Sequence, residues 1–521
     1  MTGPRPDVAW RWILPSCAAA LVIHLLSSGP LAYGYMTDEF YYLDCASHLA
    51  WGYVDHPPLS IAALAIVRAV LGDSLLALHA LPALLQVAAI VLVGLLAREL
   101  GGGRAAQGLA SLSALICPVY LADAGFYSMN AFEPAIWALA ALLLARILNG
   151  AKPTEWLWLG LVLGLGLLNK ISILWLGLGL AVGLVATPER RWLATPWPWL
   201  GALVSLAVFS PHLVWQVQNG WPTLEFMRGA TMEKMTHKSA LGFLGEQWLV
   251  MAPPAVPLWV GGLVFLFVSR RGARYRLLGW IWVTVIALLA LSGTARSNYS
   301  GPAYAVLLAA GGVAWESVSA VRRFRFAPAV LAVLLVVGLV AAPLAIPLLP
   351  PERYPGYARA LGISPPVDQT DEMGPLPLHF ALRFGEQGVV DAVARAYQGL
   401  TPDERAHAAI FGRSFGDTGA LNFYGPALGL PHAVSGHNNY WLWGPGKMDG
   451  SVVIALADSE SELLPYFETV ERASAIDCRY CMPMLRHLSV FVCRGLRRPI
   501  EEIWPELKRY VSAQRARHAA V

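Results

Sequence analysis

Asp38 and Glu39 stand side by side in the segment Tyr33-Gly34-Tyr35-Met36-Thr37-Asp38-Glu39-Phe40-Tyr41-Tyr42, just after an apolar run. A positioned carboxylate can act as general base toward a hydroxyl or an amine. The same stretch ends in Asp55-His56-Pro57-Pro58. Pro57 biases His56 toward extended backbone, so both polar side chains are presented rigidly. His56 there can donate to a phosphate or orient a carboxylate. Further on, Asn130 and Glu133 are three residues apart and share a helix face. Lys170 and Arg296 are cations at the edges of apolar runs, where a charge is costly and is usually functional or paired. Near the C-terminus, His437-Asn438-Asn439-Tyr440-Trp441-Leu442-Trp443 sets polar groups among aromatic faces. Such surfaces suit sugars, whose apolar faces pack on rings while their hydroxyls hydrogen-bond.

Each of these residues also has an ordinary structural role. Asp38 and Glu39 fit a solvated first turn after Thr37, and Asp55 fits a turn cap. Ser128 or Asn130 fits an N-cap with Glu133 in the first turn. Lys170 and Arg296 fit side chains snorkelling to headgroups. The His437–Trp443 segment fits a packed loop. Cys478 and Cys481 form a Cys-x-x-Cys pair, for which an extracytoplasmic disulfide is the expected role. A zinc site wants four ligands, and only His487 is near in sequence.

The elements that carry these residues follow from composition. The chain has 521 residues, 56% hydrophobic and 14% charged, against about 45–50% and about 25% in soluble proteins. The deficit is uneven. Residues 1–349 and 350–521 carry equal numbers of Asp, Glu, Lys and Arg, although the second stretch is half as long. The first stretch therefore reads as a membrane domain and residues 371–521 as a small α/β domain, joined by a Pro-rich linker over 350–370.

Runs of sufficient length predict eleven spans, at 12–31, 75–97, 105–121, 131–148, 156–169, 171–187, 196–214, 247–268, 277–293, 301–319 and 327–347. With the N-terminus inside, Arg5, Arg11, Arg98, Arg104, Arg146, Lys152, Arg190, Arg191, Arg270, Arg271, Arg274, Arg276, Arg322, Arg323 and Arg325 gather in inside loops. Only Arg68, Lys170, Arg228, Lys234, Lys238 and Arg296 fall outside, which satisfies the positive-inside rule and places the C-terminal domain outside the cytoplasm. Seven acids (Asp38, Glu39, Asp44, Asp55, Asp73, Asp123 and Glu133) sit in the first two outside segments or at the membrane edge. A carboxylate near hydrocarbon costs about 2.5–3.5 kcal/mol on insertion scales and is usually functional or paired. Tyr33, Tyr35, Tyr41, Tyr42 and Tyr53 suit the headgroup region, as do His212, Trp215 and Trp221.

In the C-terminal domain, helices are expected over 379–398, 418–428, 459–467 and 500–513, and buried strands at Ala408–Phe411, Val452–Ala457 and Leu488–Cys493. A net charge of +4 and the lack of a basic, aromatic-interleaved tract exclude a nucleic-acid groove. A transporter would show midplane charges and internal repeats, and neither is present.

Several motifs together carry a family resemblance. They are the Tyr33–Tyr42 segment, Asp55-His56-Pro57-Pro58-Leu59, Ala97-Arg98-Glu99-Leu100-Gly101-Gly102, Gly166-Leu167-Leu168-Asn169-Lys170 and Asn298-Tyr299-Ser300-Gly301-Pro302-Ala303-Tyr304. Phe415–Tyr424, Ser435–Pro445 and the stretch from Arg498 through Trp504 extend the match into the C-terminal domain. In order, they resemble the GT-C glycosyltransferases of family 39, relatives of the protein O-mannosyltransferases and of the aminoarabinose transferase that modifies lipid A.

The resemblance implies a mostly α, polytopic fold in the bacterial inner membrane. It implies an inverting sugar transfer at the extracytoplasmic face, from a polyprenyl-phosphate-linked donor to a glycolipid, glycan or protein acceptor. The base of the family pattern maps to Asp38, with Glu39 beside it. Asp55, His56, Asn130, Glu133, Lys170, Arg296, Tyr299, His437 and Asn438 are the candidate donor- and acceptor-binding residues. Asn130 stands where many members carry Asp, with Glu133 one turn further in as the alternative acid, which puts a two-acid or shared-metal arrangement in doubt. No metal or other cofactor is assigned; a divalent cation stays open as an alternative but has no support in the residues. A multi-pass transporter or a non-catalytic family member remains the alternative reading.

Overall fold

The computed structural model describes residues 6–235, 237–319, 321, 325–363 and 374–511. Arg5, Arg322 and Arg323 of the inside basic set lie outside these residues, as do 364–370 of the expected linker and 512–513 of the last expected helix.

Each of the eleven apolar runs contains a helix. Six are long and apolar enough to cross a membrane: Trp10–Ser28, Leu75–Glu99, Met129–Leu148, Trp197–Gln218, Gly272–Ser292 and Ala327–Ala345. Three further pairs pass the same test together but bend at a short break. Arg104–Ile116 with Pro118–Ala124 turns by 60°, Ile173–Ala186 with Pro188–Ala194 by 107°, and Ala240–Val250 with Pro253–Phe267 by 92°. A proline follows each break, where it cannot donate to the preceding turn. Leu59–Leu71 and Glu155–Asn169 are shorter apolar helices, and Ala305–Ser319 is buried at its start. The protein is a multi-pass membrane protein.

Close packing rests on small residues, as it must where lipid is as apolar as leucine. Gly160 and Gly201 let Glu155–Asn169 and Trp197–Gln218 meet at backbone contact, since a Cβ on Gly160 would lie 2.1 Å from the Gly201 carbonyl oxygen. The two ends of the bundle differ in chemistry. At one, Arg98 donates to the Pro6 carbonyl at 2.6 Å, Arg274 to Leu148 at 2.7 Å, and Glu316 accepts from the amides of Gly103 and Ala105. The other carries the acidic loops and the C-terminal part.

The C-terminal part is built on a five-stranded sheet, β1 (Ala408–Phe411), β2 (Ala433–Val434), β3 (Val452–Ala457), β4 (Phe467–Ala475) and β5 (Ser489–Leu496), in the order β2-β1-β3-β5-β4. β1 runs parallel to β2 and β3, while β5 is antiparallel to β3 and β4. β3 is buried throughout. Val452, Ile454 and Leu456 face Val389, Val390 and Val393 of helix Glu386–Gln398, while Val453, Ala455 and Ala457 face Ile503 and Trp504. The alternation is the two-residue period of a pleated strand.

Four sequence expectations change here, the first being the helix expected over 500–513, which is one helical turn, Ile500–Ile503, and a 3-10 turn, Trp504–Leu507. The helix expected over 459–467 is only a 3-10 turn, Glu460–Glu462, and the chain then enters β4. β4 is an edge strand with Glu468, Glu471 and Arg472 exposed, so it lacks an apolar alternation, and its charges discourage further pairing. The helix expected over 379–398 is two pieces, Leu378–Ala381 and Glu386–Gln398, separated at Gly385, whose φ is +106°. The linker begins with a packed helix, Tyr354–Ala360, whose Tyr354 and Ala358 are buried with Phe380 and Met482.

Candidate active site at the acidic end of the bundle

Helix Thr37–Ser47 carries the acidic pair. Its N-terminus is fixed from two sides. The Thr37 amide and hydroxyl donate to the Leu382 carbonyl at 2.9 and 2.8 Å. Glu39 closes a capping box by accepting from the Met36 amide at 2.8 Å. The helix is covered by Phe415–Tyr424, and glycine permits the approach. A Cβ on Gly416 would fall 2.0 Å from the Thr37 methyl, and one on Gly419 would fall 2.7 Å from the Phe40 backbone.

The two acids part company. Glu39 is fully buried. Its Oε1 accepts from the Tyr127 amide at 2.6 Å and from His79 Nε2 at 2.8 Å, and Ser28 contacts the other ring nitrogen at 2.8 Å. Burial pushes the Glu39 carboxyl up, but His79, the nearby Arg383 and the Tyr127 amide outweigh it and hold the group below its ordinary range. Glu39 thus ties the first outer segment to the second, and its lone pairs face protein donors rather than a substrate. Its expected place beside Asp38 in the chemistry does not fit this geometry. Asp38, one residue earlier, is half-buried. Asp38 and Asp55 both act on the Tyr42 phenol, which burial first and then these two charges hold neutral.

Asp55 accepts from the Tyr41 hydroxyl at 2.9 Å and lies 3.8 Å from His56 Nε2. His56 is buried against Tyr42 and Tyr53, with ring centroids 5.1 and 4.9 Å apart. The tyrosines expected at headgroups are thus redirected. Tyr41, Tyr42 and Tyr53 are buried, and Tyr41 packs on Phe415 and Tyr440. The C-terminal part covers the membrane-facing loop, so its rings find protein instead of lipid. His212 is likewise buried, its ring 3.0 Å from the Trp51 carbonyl.

The second group assembles around Lys170. Its ammonium donates to Asn130 Oδ1 at 2.8 Å and to Glu133 Oε2 at 2.6 Å, and lies 5.1 Å from the Tyr299 ring centre. Ser172 donates to the other Glu133 oxygen. Asn169 donates to the Met129 carbonyl at 2.8 Å, fixing the turn that presents Lys170. Ser128 is the N-cap and accepts from the Asn130 amide. Arg296 immediately precedes the 3-10 helix Ser297–Tyr304 that carries Tyr299. Asn130, Glu133, Lys170 and Tyr299, spread over 170 residues, are therefore one constellation. Asn130 serves as an acceptor for the cation. Among the described residues, no three His, Cys, Asp or Glu side chains converge as metal ligands.

The C-terminal candidates are less open than expected. His437 and Asn438 are buried. His437 Nδ1 accepts from the Phe415 amide at 3.1 Å. Asn438 has φ +48°, and both side-chain polar atoms are buried without a hydrogen-bond partner. The contact to the first loop comes from the next residue, Asn439, whose Oδ1 accepts from the Val54 amide at 2.7 Å and from Tyr41 at 3.2 Å. Sequence reading passed over His79 and Arg383, and it named Asp44 and Asn439 without counting them among the site candidates. Asp44 accepts from Asn422 at 2.7 Å and from Tyr440. Arg383 donates to the Gly125 carbonyl at 2.9 Å. The only sequence signal for these was a polar residue inside an apolar or aromatic setting.

Comparison with known proteins agrees with this architecture. Residues 55–215 match the family model described as dolichyl-phosphate-mannose-protein mannosyltransferase. Among solved structures, the chain superimposes on ArnT from Cupriavidus metallidurans bound to undecaprenyl phosphate with a TM-score of 0.60. The identity is 16%, over 93% of this chain and 98% of that one. The apo state of the same protein gives a TM-score of 0.57 at 15% identity, with the same coverage. This chain has the GT-C fold. No curated protein sequence is significantly similar to it. The resemblance carried by the sequence motifs holds for the fold of nearly the whole chain, and for the sequence over residues 55–215.

Proposed function

We propose that the protein is a membrane glycosyltransferase that moves a sugar from a polyprenyl-phosphate donor to an acceptor at the extracytoplasmic face. One observation carries the reading. On a GT-C fold, a half-buried carboxylate, Asp38, is held on an anchored helix at the same end of the bundle as a built cation, Lys170. The solved neighbour with undecaprenyl phosphate bound supports a lipid-phosphate donor.

In this reading Asp38 takes the proton from the acceptor hydroxyl or amine. The acceptor atom then attacks the anomeric carbon opposite the phosphate. The sugar–phosphate C–O bond breaks, the configuration inverts, and the lipid phosphate leaves as an anion. Lys170, oriented by Asn130 and Glu133, and Arg296 stabilise that developing charge. Asp55, His56, His437 and Asn438 are assigned in this reading to donor or acceptor binding. The excess of basic residues in the loops at the opposite end supports an extracytoplasmic position for this end, and in this reading residues 1–349 are the catalytic membrane domain and 371–521 an outer domain.

The test is transfer in membranes by Asp38→Asn. It should lose about 10²–10⁴-fold in rate with unchanged expression and melting. Normal transfer by that variant would remove Asp38 as the base. Mass spectrometry of envelope glycolipids, glycans and glycoproteins, with and without the protein, would name sugar and acceptor together.

A further inference from the structure

Cys478-Arg479-Tyr480-Cys481 lies in the connection between β4 and β5, and its two thiols are free. The turn is tight. Cys478 Sγ accepts from the Cys481 amide at 3.2 Å, and the Cys481 thiol donates to the Cys478 carbonyl at 3.4 Å. Arg486 closes it from below, donating to the carbonyls of Cys478 at 3.0 Å and Arg479 at 2.7 Å. Each sulfur thus bonds the backbone of the other cysteine within one four-residue turn.

The pair is asymmetric. Cys481 is fully buried, whereas Cys478 is partly exposed between the exposed Arg479 and Arg486. Hydrogen bonding from Cys481, opposed by burial and aided by Arg486, brings the Cys478 thiol down to about 6. The Cys481 thiol is pushed up by the same hydrogen bond and by burial. An accessible thiolate backed by a buried, protonated partner is the arrangement that thiol–disulfide exchange requires. The remaining cysteines, Cys17, Cys45, Cys117 and Cys493, are all buried. Glycine makes room beside the pair, since a Cβ on Gly385 would lie 3.0 Å from Cys481 Cβ and 3.5 Å from Cys478 Sγ.

We propose that Cys478 and Cys481 form a redox-active dithiol that exchanges with a small anionic disulfide, with Cys478 as the attacking sulfur and the arginines drawing the anion in. The Cys478 thiolate attacks one sulfur of the incoming disulfide, forms a mixed disulfide and expels the other sulfur as a thiolate. Cys481 gives its proton to solvent and attacks Cys478, expelling the second thiolate. The protein dithiol is oxidised to a disulfide, and the incoming disulfide is reduced to two thiols. This assignment stands independently of the proposed sugar transfer. It places the reaction against Gly385, the cap of the helix whose first residue, Glu386, accepts from Thr37 at 3.2 Å.

The test uses the full chain purified in detergent and equilibrated with reduced and oxidised glutathione in varied ratio. Free thiols are then blocked with a maleimide and mapped by mass spectrometry. Cys478 and Cys481 should pass together and reversibly from two adducts to none, while the four other cysteines stay unchanged. Cys481→Ser should trap a glutathione mixed disulfide on Cys478, and Cys478→Ser should trap none. Alkylation of Cys478 should reach half its maximal rate near pH 6, not near the ordinary thiol value of about 8.5. The proposal is overturned if both thiols stay modifiable at every ratio, if the trapped adduct sits on Cys481, or if Cys478 reacts with an ordinary thiol's pH profile. The wild-type titration decides the matter even where a variant fails to fold.

Discussion

Glu39 offers the sharpest test, because the structure gives it a different task from its neighbour. Glu39→Ala removes the acceptor of three buried donors, the amides of Met36 and Tyr127 and the His79 ring. His79 can shift its proton to the other ring nitrogen and bond Ser28, so its loss is recoverable. The two amides cannot, and each unsatisfied buried donor costs about 1–3 kcal/mol. The substitution should therefore destabilise by about 2–6 kcal/mol. Thermal unfolding of the detergent-purified protein, followed by tryptophan fluorescence, should show melting several degrees lower. Glu39→Gln retains one acceptor oxygen and should fall between. The pH dependence carries the same signature. The folded pKa of Glu39 is depressed, so its contribution is present above the unfolded value of about 4.5 and is lost as pH falls through the folded one. The acid limb of the stability profile should flatten in Glu39→Ala. An alanine variant that melts like the parent yet loses transfer as completely as Asp38→Asn would refute this reasoning and return Glu39 to the chemistry.

Three other outcomes follow from the same geometry. Lys170→Met removes the charge-assisted bonds to Asn130 and Glu133, and binding of undecaprenyl phosphate should weaken by about 10–100-fold, from about 1.5–3 kcal/mol per charged bond. Unchanged binding would leave Lys170 as an anchor at the membrane edge. Asn439→Ala strands the Val54 amide and should cost about 1–3 kcal/mol, with faster proteolysis of the first outer loop, whereas Asn439→Asp keeps the acceptor and should melt near the parent. Glu386 is raised to about 8, first by burial and then by Asp417, so its contribution is full below about 4.5 and is lost as pH rises toward about 8. Glu386→Gln should flatten that alkaline decline in a melting series, and an unchanged slope would show that Glu386 does not titrate there.

The sequence by itself determined the membrane character and the fold class, because these depend on the amount and spacing of apolar residues. Eleven apolar runs needed no tertiary information to be read as helices. The charged residues inside them stood out because hydrocarbon makes them costly. β3 was equally legible, since burial on both faces leaves six unbroken apolar residues. β4 was not, because an edge strand with one paired side and exposed charges has no apolar period.

Only the tertiary structure separated Asp38 from Glu39. In sequence they are adjacent carboxylates, and their roles diverge through partners 40 and 88 residues away, His79 and Tyr127. It also decided that the loop tyrosines meet protein rather than lipid, and that Asn439 rather than Asn438 holds the first loop. Helix periodicity and composition are local properties of a chain. Which lone pair is occupied, and by which donor, depends on contacts between segments that only folding brings together.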